Sequence, residues 1–162
     1  ERPMTDVMLQ TLSAGLPELG LTLDTSVQEK LCAFARAMVK QNEVMNLTGI
    51  TEDEPVAKLH LLDSLTLLTM ADLKGKSIID VGCGAGFPGV PAAIACPEAR
   101  VTLLDSLGKR MKWLEECDYW SRTPNNDADV SSAWNLGAHS EFYSESYYRE
   151  VTDKISVRLI RW

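Results

Sequence analysis

Apolar residues follow a helical period through the first half of the chain and then change to short, unbroken runs. Between residues 24 and 42, Val27, Leu31, Phe34, Ala35, Met38 and Val39 fall on one stripe at the 3.6-residue repeat, which predicts an amphipathic helix. Ser26 stands three residues before Glu29, the spacing of a capping box. A shorter helix is expected over residues 4–16, with Val7, Met8 and Leu12 inward. Leu16 to Leu23, interrupted by Pro17 and Gly20, has no period and reads as a connection. Asn42 to Thr51 is a polar turn containing Asn46-Leu47-Thr48-Gly49. Thr51 and Glu54 repeat the capping-box spacing, and Pro55 suits a first helical turn. A helix is therefore expected as far as about Leu68, carrying Val56, Leu59, Leu62 and Leu65.

Beyond the turn Lys74-Gly75-Lys76 the pattern reads as a strand over 76–81, a glycine loop over 82–87 and a helix over 88–95 halted by Pro97. A second strand follows over 101–105, then a helix from about Leu107 to Cys117. Strand, helix, strand, helix in this rhythm predicts a parallel sheet covered on both faces, with the N-terminal helices as a cap or flank. After Cys117 the character changes. All four tyrosines (Tyr119, Tyr143, Tyr147, Tyr148) lie there, residues 121–132 are rich in Ser, Asn and Asp, and only Val130 to Leu136 and Ile155 to Arg158 suggest strands. A doubly wound domain carries more strands than this, so a truncated core lacking its C-terminal strands is expected. The expected organisation is a helical extension over 1–73 and an α/β core over 74–162, forming one compact unit.

The 162 residues suit one domain. No apolar run approaches the ~20 residues that span a bilayer, and no leader pattern opens the chain, so no membrane partner and a cytoplasmic location are expected. Cys32, Cys83, Cys96 and Cys117 include no Cys-x-x-Cys pair, which argues against a metal site or a disulfide framework. A net charge of −7 counts against a free-standing nucleic-acid binder with a basic face, DNA-binding proteins included. A local basic patch acting alone would bind RNA weakly and in a salt-sensitive way.

The chemistry concentrates in Asp80-x-Gly82-x-Gly84-x-Gly86, where an apolar strand ends in an acid and opens into alternating glycines. Glycine admits positive φ and lets a ligand approach bare backbone. The second strand also ends in an acid, Asp105, about 20 residues beyond the loop, where a ribose hydroxyl is usually held. A nucleoside cofactor accounts for both acids better than a merely tight structural turn does. In the dinucleotide pattern Gly-x-Gly-x-x-Gly the third glycine would stand at position 87. Phe87 and Pro88 occupy that place and would obstruct a pyrophosphate. They suit a ligand without phosphate whose amino-acid end lies over the loop, as S-adenosylmethionine has.

Asp80-Val81-Gly82-Cys83-Gly84-Ala85-Gly86-Phe87-Pro88-Gly89, followed by Leu103-Leu104-Asp105-Ser106-Leu107-Gly108-Lys109-Arg110, resembles the RsmG (GidB) family of bacterial 16S ribosomal RNA (guanine-N7) methyltransferases. Asn46-Leu47-Thr48-Gly49-Ile50 and His60-Leu61-Leu62-Asp63-Ser64-Leu65 are similar to further segments of that family, and the likeness covers about residues 24–117. The resemblance implies a class I S-adenosylmethionine-dependent methyltransferase fold, Rossmann-like with a mostly parallel sheet and an N-terminal helical extension. It implies S-adenosylmethionine as methyl donor, S-adenosylhomocysteine as product, and a guanine in the 530-loop region of 16S rRNA as acceptor, within the small ribosomal subunit and acted on by a monomer. By position, Gly82 and Phe87 match cofactor contacts and Asp105 the ribose-binding acid; Asp80, Gly84, Gly86 and Ser106 complete the loop set. Past Cys117 the likeness is loose. His139 and Ser140, in Ala138-His139-Ser140-Glu141, fall where the family holds the adenine, and Arg158 falls at its functional arginine.

Guanine N7 carries an in-plane lone pair, and no proton has to leave before it attacks. Positioning alone then serves catalysis, and no catalytic acid or base is assigned. Two other readings stay open: a class I methyltransferase with a small-molecule or protein substrate, and an inactive, truncated cofactor-binding remnant. A nicotinamide dehydrogenase is disfavoured by Phe87-Pro88. His60 and Asp63, three apart on a helix, either reach toward the methyl-transfer cleft or brace the helices against the sheet, with bracing favoured. Asn46 and Thr48 either contact RNA or bond their own backbone, the commoner role. Lys109, Arg110 and Lys112 form a basic cluster that either meets RNA phosphates or is a solvated helix face. The late tyrosines and tryptophans suit packing better than base stacking.

Overall fold

A computed structural model of the chain describes residues 6–117. Helix α1 (Val7–Gly15) starts at Asp6, whose carboxylate accepts the Leu9 N–H at 3.0 Å and pairs with Arg36 of the next helix. Its inward row is Met8 and Leu12, continued by Leu16 just past the helix, an i, i+4 series. Val7 lies off that row and faces solvent, contrary to the expectation that placed it inward. A 3₁₀ turn (Pro17–Leu19) closes on Gly20.

Helix α2 (Thr25–Met45) buries Leu31, Cys32, Phe34, Ala35 and Met38. It begins from Asp24 and has no side-chain cap, so the Ser26/Glu29 box expected from spacing does not form. The helix also runs three residues beyond the expected end. It stops at Asn46, which takes the left-handed conformation (φ 53°). The Asn42 side chain, still inside the helix, accepts from the N–H groups of Leu47 (2.6 Å) and Thr48 (2.8 Å) and so folds the polar turn back over the helix end.

The next helical stretch starts one residue later than the Thr51 cap predicts, from Glu52. It comprises α3 (Asp53–Val56), a π-helical segment (Ala57–Leu62), α4 (Asp63–Leu65) and α5 (Leu67–Met70). A π turn closes from i to i+5, one residue wider than an α turn. The buried row is Val56, Ala57, Leu61 and Leu65; Leu59, expected inward, is 58% exposed, and Leu62 is half-buried. Against α1 the approach is so close that a Cβ on Gly15 would stand 2.3 Å from Leu62 Cδ1.

Strands β1 (Ser77–Val81) and β2 (Arg100–Leu104) are parallel, in register from Ser77 opposite Arg100 to Val81 opposite Leu104. Helix α6 (Gly89–Ala95) makes the crossover between them and is buried along most of its length; α7 (Gly108–Glu116) follows β2. The α/β, Rossmann-like class is as the sequence predicts. Helices α2 and α4 pack against α6, so among the described residues the N-terminal helices and the α/β unit share one apolar core from Met8 to Cys117. None of the described helices is long and apolar enough to cross a membrane. The strand candidates at Val130–Leu136 and Ile155–Arg158 lie outside the described residues.

Candidate functional site

The parallel strands deliver Asp80 and Asp105 to the same edge of the sheet, and the loop from Gly82 to Pro88 runs between them. Gly82, Gly84 and Gly86 all adopt positive φ (75°, 56° and 95°), and the Phe87–Pro88 peptide is cis. The Gly82 and Cys83 N–H groups both donate to the Leu104 carbonyl (2.7 and 3.1 Å), and those of Gly86 and Phe87 donate to the Cys83 carbonyl (2.8 and 3.2 Å). The glycines divide into two kinds. Among the described residues a Cβ on Gly82 would meet nothing within 4 Å, and one on Gly84 only the Gly82 carbonyl oxygen at 4.0 Å. These two leave bare backbone facing outward. A Cβ on Gly86 would stand 2.9 Å from Val90 Cγ2, 3.0 Å from Leu114 Cδ2 and 3.1 Å from Phe34 Cζ. One on Gly89 would stand 2.4 Å from Leu103 Cδ2 and 2.8 Å from Asp80 Oδ2. Gly86 and Gly89 are therefore small because the loop and α6 are pressed onto the core.

The two acids do different work. Asp80 Oδ2 accepts the Gly89 N–H at 2.8 Å, pinning the start of α6 to the end of β1. Burial pushes its carboxyl up to about 6; the Gly89 hydrogen bond opposes that shift and the nearby Asp105 adds to it. Asp105 is 6% exposed. Its Oδ2 accepts the Gly84 N–H at 2.9 Å and its Oδ1 the Leu107 N–H at 2.8 Å, so one carboxylate joins the loops that follow β1 and β2. A carboxylate offers about four acceptor positions, so two backbone amides leave capacity for hydroxyl donors. Ser106, beside it, is exposed. In the basic cluster, Arg110 turns toward Asp105, with Nη1 3.6 Å from Oδ2, and its buried Nε has no partner among the described residues. Lys109 and Lys112 are exposed.

Phe87 ends the loop between two rings from the N-terminal helices. Phe34 lies 5.3 Å away, centroid to centroid, and His60 lies 5.0 Å away at an interplanar angle of 25°. Trp113 of α7 stacks on Phe34 at 6.2 Å. His60 Nε2 is hydrogen-bonded to Thr48 Oγ1 at 2.8 Å, and the same oxygen accepts the Ile50 N–H at 3.0 Å. Burial lowers the His60 pKa and favours the neutral ring, against the opposing charge of Asp63. The Thr48 hydroxyl thus bonds its own turn, as the sequence favours, and also His60. His60 braces the helices against the α/β unit, and it does so at the cofactor-type loop itself. Nothing in the sequence marked Asn42, Phe34 or Trp113 as part of this constellation; only the fold brings Phe34 to Phe87, Trp113 to Phe34 and Asn42 to the backbone of Thr48.

Cys83 is buried beside Met111, and burial pushes its thiol up to about 12, so it is no nucleophile. Among the described residues no group of three or more His, Cys, Asp or Glu is placed to hold a metal ion. A separate groove of about 590 Å³ on the N-terminal helices is lined by Val7, Glu52, Asp53, Glu54, Pro55, Lys58 and Leu59, none of them from the glycine loop. His139, Ser140 and Arg158 lie outside the described residues.

Residues 27–128 match the family model for rRNA small subunit methyltransferase G. The chain is 46% identical over 107 residues to a "Ribosomal RNA small subunit methyltransferase G" of Coxiella burnetii, covering 66% of this chain and 52% of the relative. Proteins of the same name are similar to it in Desulfitobacterium hafniense (37% over 143 residues, 88% of this chain and 56% of the relative) and in Pseudomonas aeruginosa (43% over 105 residues, 65% and 49%). The chain spans about half the length of the curated relatives it matches.

Proposed function

The chain belongs to the rRNA small subunit methyltransferase G family, and on that premise we propose that it transfers a methyl group from S-adenosylmethionine to N7 of a guanine in 16S rRNA. The observation that carries this reading is the bare backbone of Gly82 and Gly84, open on its outer side and set between two strand-end acids. The residues fit the cofactor: an added Cβ on Gly82 would meet nothing within 4 Å among the described residues, and Asp105 keeps acceptor capacity beside exposed Ser106. When bound, S-adenosylmethionine supplies an electrophilic methyl group on a sulfonium centre and leaves as S-adenosylhomocysteine.

In this assignment the Gly82–Gly86 backbone holds the methionine part, and Asp105 with Ser106 receives the ribose hydroxyls. Phe87 walls the site beside the methyl group. Asp80 and Gly86 hold the loop's shape. His139 and Ser140 take the adenine side and Arg158 the role of the family's arginine. No side chain acts as acid or base, because guanine N7 attacks with a lone pair it already has; the chain contributes orientation and exclusion of water. Residues 1–73 form a helical extension to a catalytic core over 74–162. The acceptor is the 530-loop region within a small ribosomal subunit, in the cytoplasm, and the chain acts as a monomer. An acidic protein that gains its specificity from a folded ribosomal particle needs no broad basic face.

The test is to incubate the chain with S-adenosylmethionine tritiated in the methyl group and small subunits from cells lacking this modification, then to digest the rRNA. Label in N7-methylguanosine supports the proposal. Saturable cofactor binding with label in no nucleoside refutes the rRNA activity; label in a protein-free small-molecule extract would then identify a methyltransferase of other substrate.

A further inference from the structure

Three elements converge on His60. Its backbone carbonyl, in the π-helical segment, accepts the Ser64 hydroxyl at 2.5 Å. Its Nε2 meets Thr48 Oγ1 at 2.8 Å, and Thr48 is itself held by the Asn42 side chain through its backbone N–H. Its face lies on Phe87, the last residue of the glycine loop before Pro88. Phe34 lies against the same ring. A phenylalanine between two rings is restrained in tilt only as far as those rings are themselves fixed. Phe34 is fixed by complete burial. His60 is only half-buried, and the directional bond to Thr48 supplies what packing does not.

We propose that His60 is a positioning residue for the glycine loop: the Asn42–Thr48–His60 chain of contacts fixes the imidazole, and the imidazole holds Phe87 in the orientation from which it walls the cofactor site. The last clause rests on the function proposed above; the positioning itself does not. The N-terminal helices thereby set the geometry of a loop in the α/β unit, and a polar turn at residues 46–50 is mechanically linked to it. A leucine at position 60 would fill the space but could not fix its rotation through Thr48. A phenylalanine would keep the stack and lose the bond.

The test uses the full chain carrying His60→Ala, His60→Phe or Thr48→Val, with two measurements on each. The first is amide hydrogen exchange at Gly86 and Phe87, whose N–H groups are bonded to the Cys83 carbonyl, with Leu12 of α1 as reference. The second is calorimetric titration with S-adenosylhomocysteine. Loss of one aromatic contact corresponds to about a tenfold change at most. His60→Ala is expected to speed exchange at Gly86 and Phe87 about tenfold, leave Leu12 unchanged and weaken binding about tenfold. His60→Phe and Thr48→Val both keep a ring against Phe87 and lose the bond, and both are expected to fall between wild type and His60→Ala. Wild-type exchange at Gly86 and Phe87 in His60→Ala overturns the proposal, as does faster exchange at Leu12 to the same degree. If His60→Ala does not fold, Thr48→Val decides on the same two amides. If exchange responds as expected while the wild-type chain binds no S-adenosylhomocysteine, positioning stands and the cofactor reading fails.

Discussion

Replacing Gly82 and Gly86 by alanine, one at a time, separates the ligand-facing part of the loop from its packed part. Both have positive φ, and an L-residue in that region costs roughly 1–2 kcal/mol. At Gly82 nothing else among the described residues opposes the methyl group, so Gly82→Ala should lower stability by about 1 kcal/mol. At Gly86 the new Cβ meets Val90, Leu114 and Phe34 at 2.9–3.1 Å. Overpacking of a well-filled core costs typically 1–3 kcal/mol, which brings Gly86→Ala to about 3–4 kcal/mol in all. With a urea slope on the order of 1.5 kcal/mol per molar, Gly86→Ala should move the unfolding midpoint down by roughly 2 M and Gly82→Ala by less than 1 M. The order reverses for the cofactor. Gly82→Ala places a methyl group where the methionine part is assigned, and S-adenosylhomocysteine affinity should fall more than tenfold although the fold is nearly unharmed. Adding Phe34→Leu to Gly86→Ala should recover part of the lost stability, because the two changes share one contact and are not additive. Equal midpoints for the two alanine variants would refute the division of the loop. Wild-type affinity in Gly82→Ala would refute the placement of ligand over its outer face.

Gly89→Ala should destabilise by about 1–3 kcal/mol through contact with Leu103 and Asp80, read by thermal unfolding; an unchanged melting temperature would mean that α6 can move off the strands. Asp105→Asn turns an amide NH₂ toward one of the two N–H donors at Gly84 and Leu107, and should cost on the order of 1.5–3 kcal/mol as well as cofactor affinity; loss of affinity with an unchanged unfolding midpoint would mean that the carboxylate serves the ligand alone. Asp80 has its folded pKa raised to about 6 from 3.8, so its contribution is fully present below the unfolded value and is lost as pH rises through 6. The loss amounts to roughly 3 kcal/mol. Asp80→Asn should therefore be more stable than the parent above pH 7 while keeping an acceptor for Gly89, and unfolding at pH 5 and pH 8 checks the sign. His60 acts in the opposite sense, since its lowered pKa stabilises above 6.5 and that contribution fades as pH falls; the pH comparison should be repeated in His60→Phe.

The order of elements was legible in the sequence because each rests on local pattern: the stripe of α2, the unbroken apolar runs of β1 and β2, and the glycines and acids at the strand ends. The family motifs were legible for the same reason, as contiguous strings. Periodicity misplaced Leu59, because residues spaced by three from Val56 drift around a helix, whereas the buried row runs at a spacing of four through Ala57, Leu61 and Leu65. Capping-box spacing misled at Ser26 and Thr51, since hydroxyl and glutamate three apart also occur inside a helix or one residue before its cap.

The sequence separated Asp105 from Asp80 by its distance beyond the loop, but nothing in one dimension tells an open glycine from a packed one or names the backbone groups each acid holds. Tertiary packing made Gly82 and Gly84 open and Gly86 and Gly89 tight; it also turned Asp80 onto α6 and Asp105 onto two loops. The contact of His60 with Phe87 joins residues 27 apart in the chain through a fold-wide core, and Thr48 reaches the pair only because Asn42 bends the end of α2 back. Local propensity determines which segments become helix, strand or turn. Which side of a glycine faces solvent, and which ring meets another, is decided by how the helices and the sheet close on one another, because those distances exist only once the chain is compact.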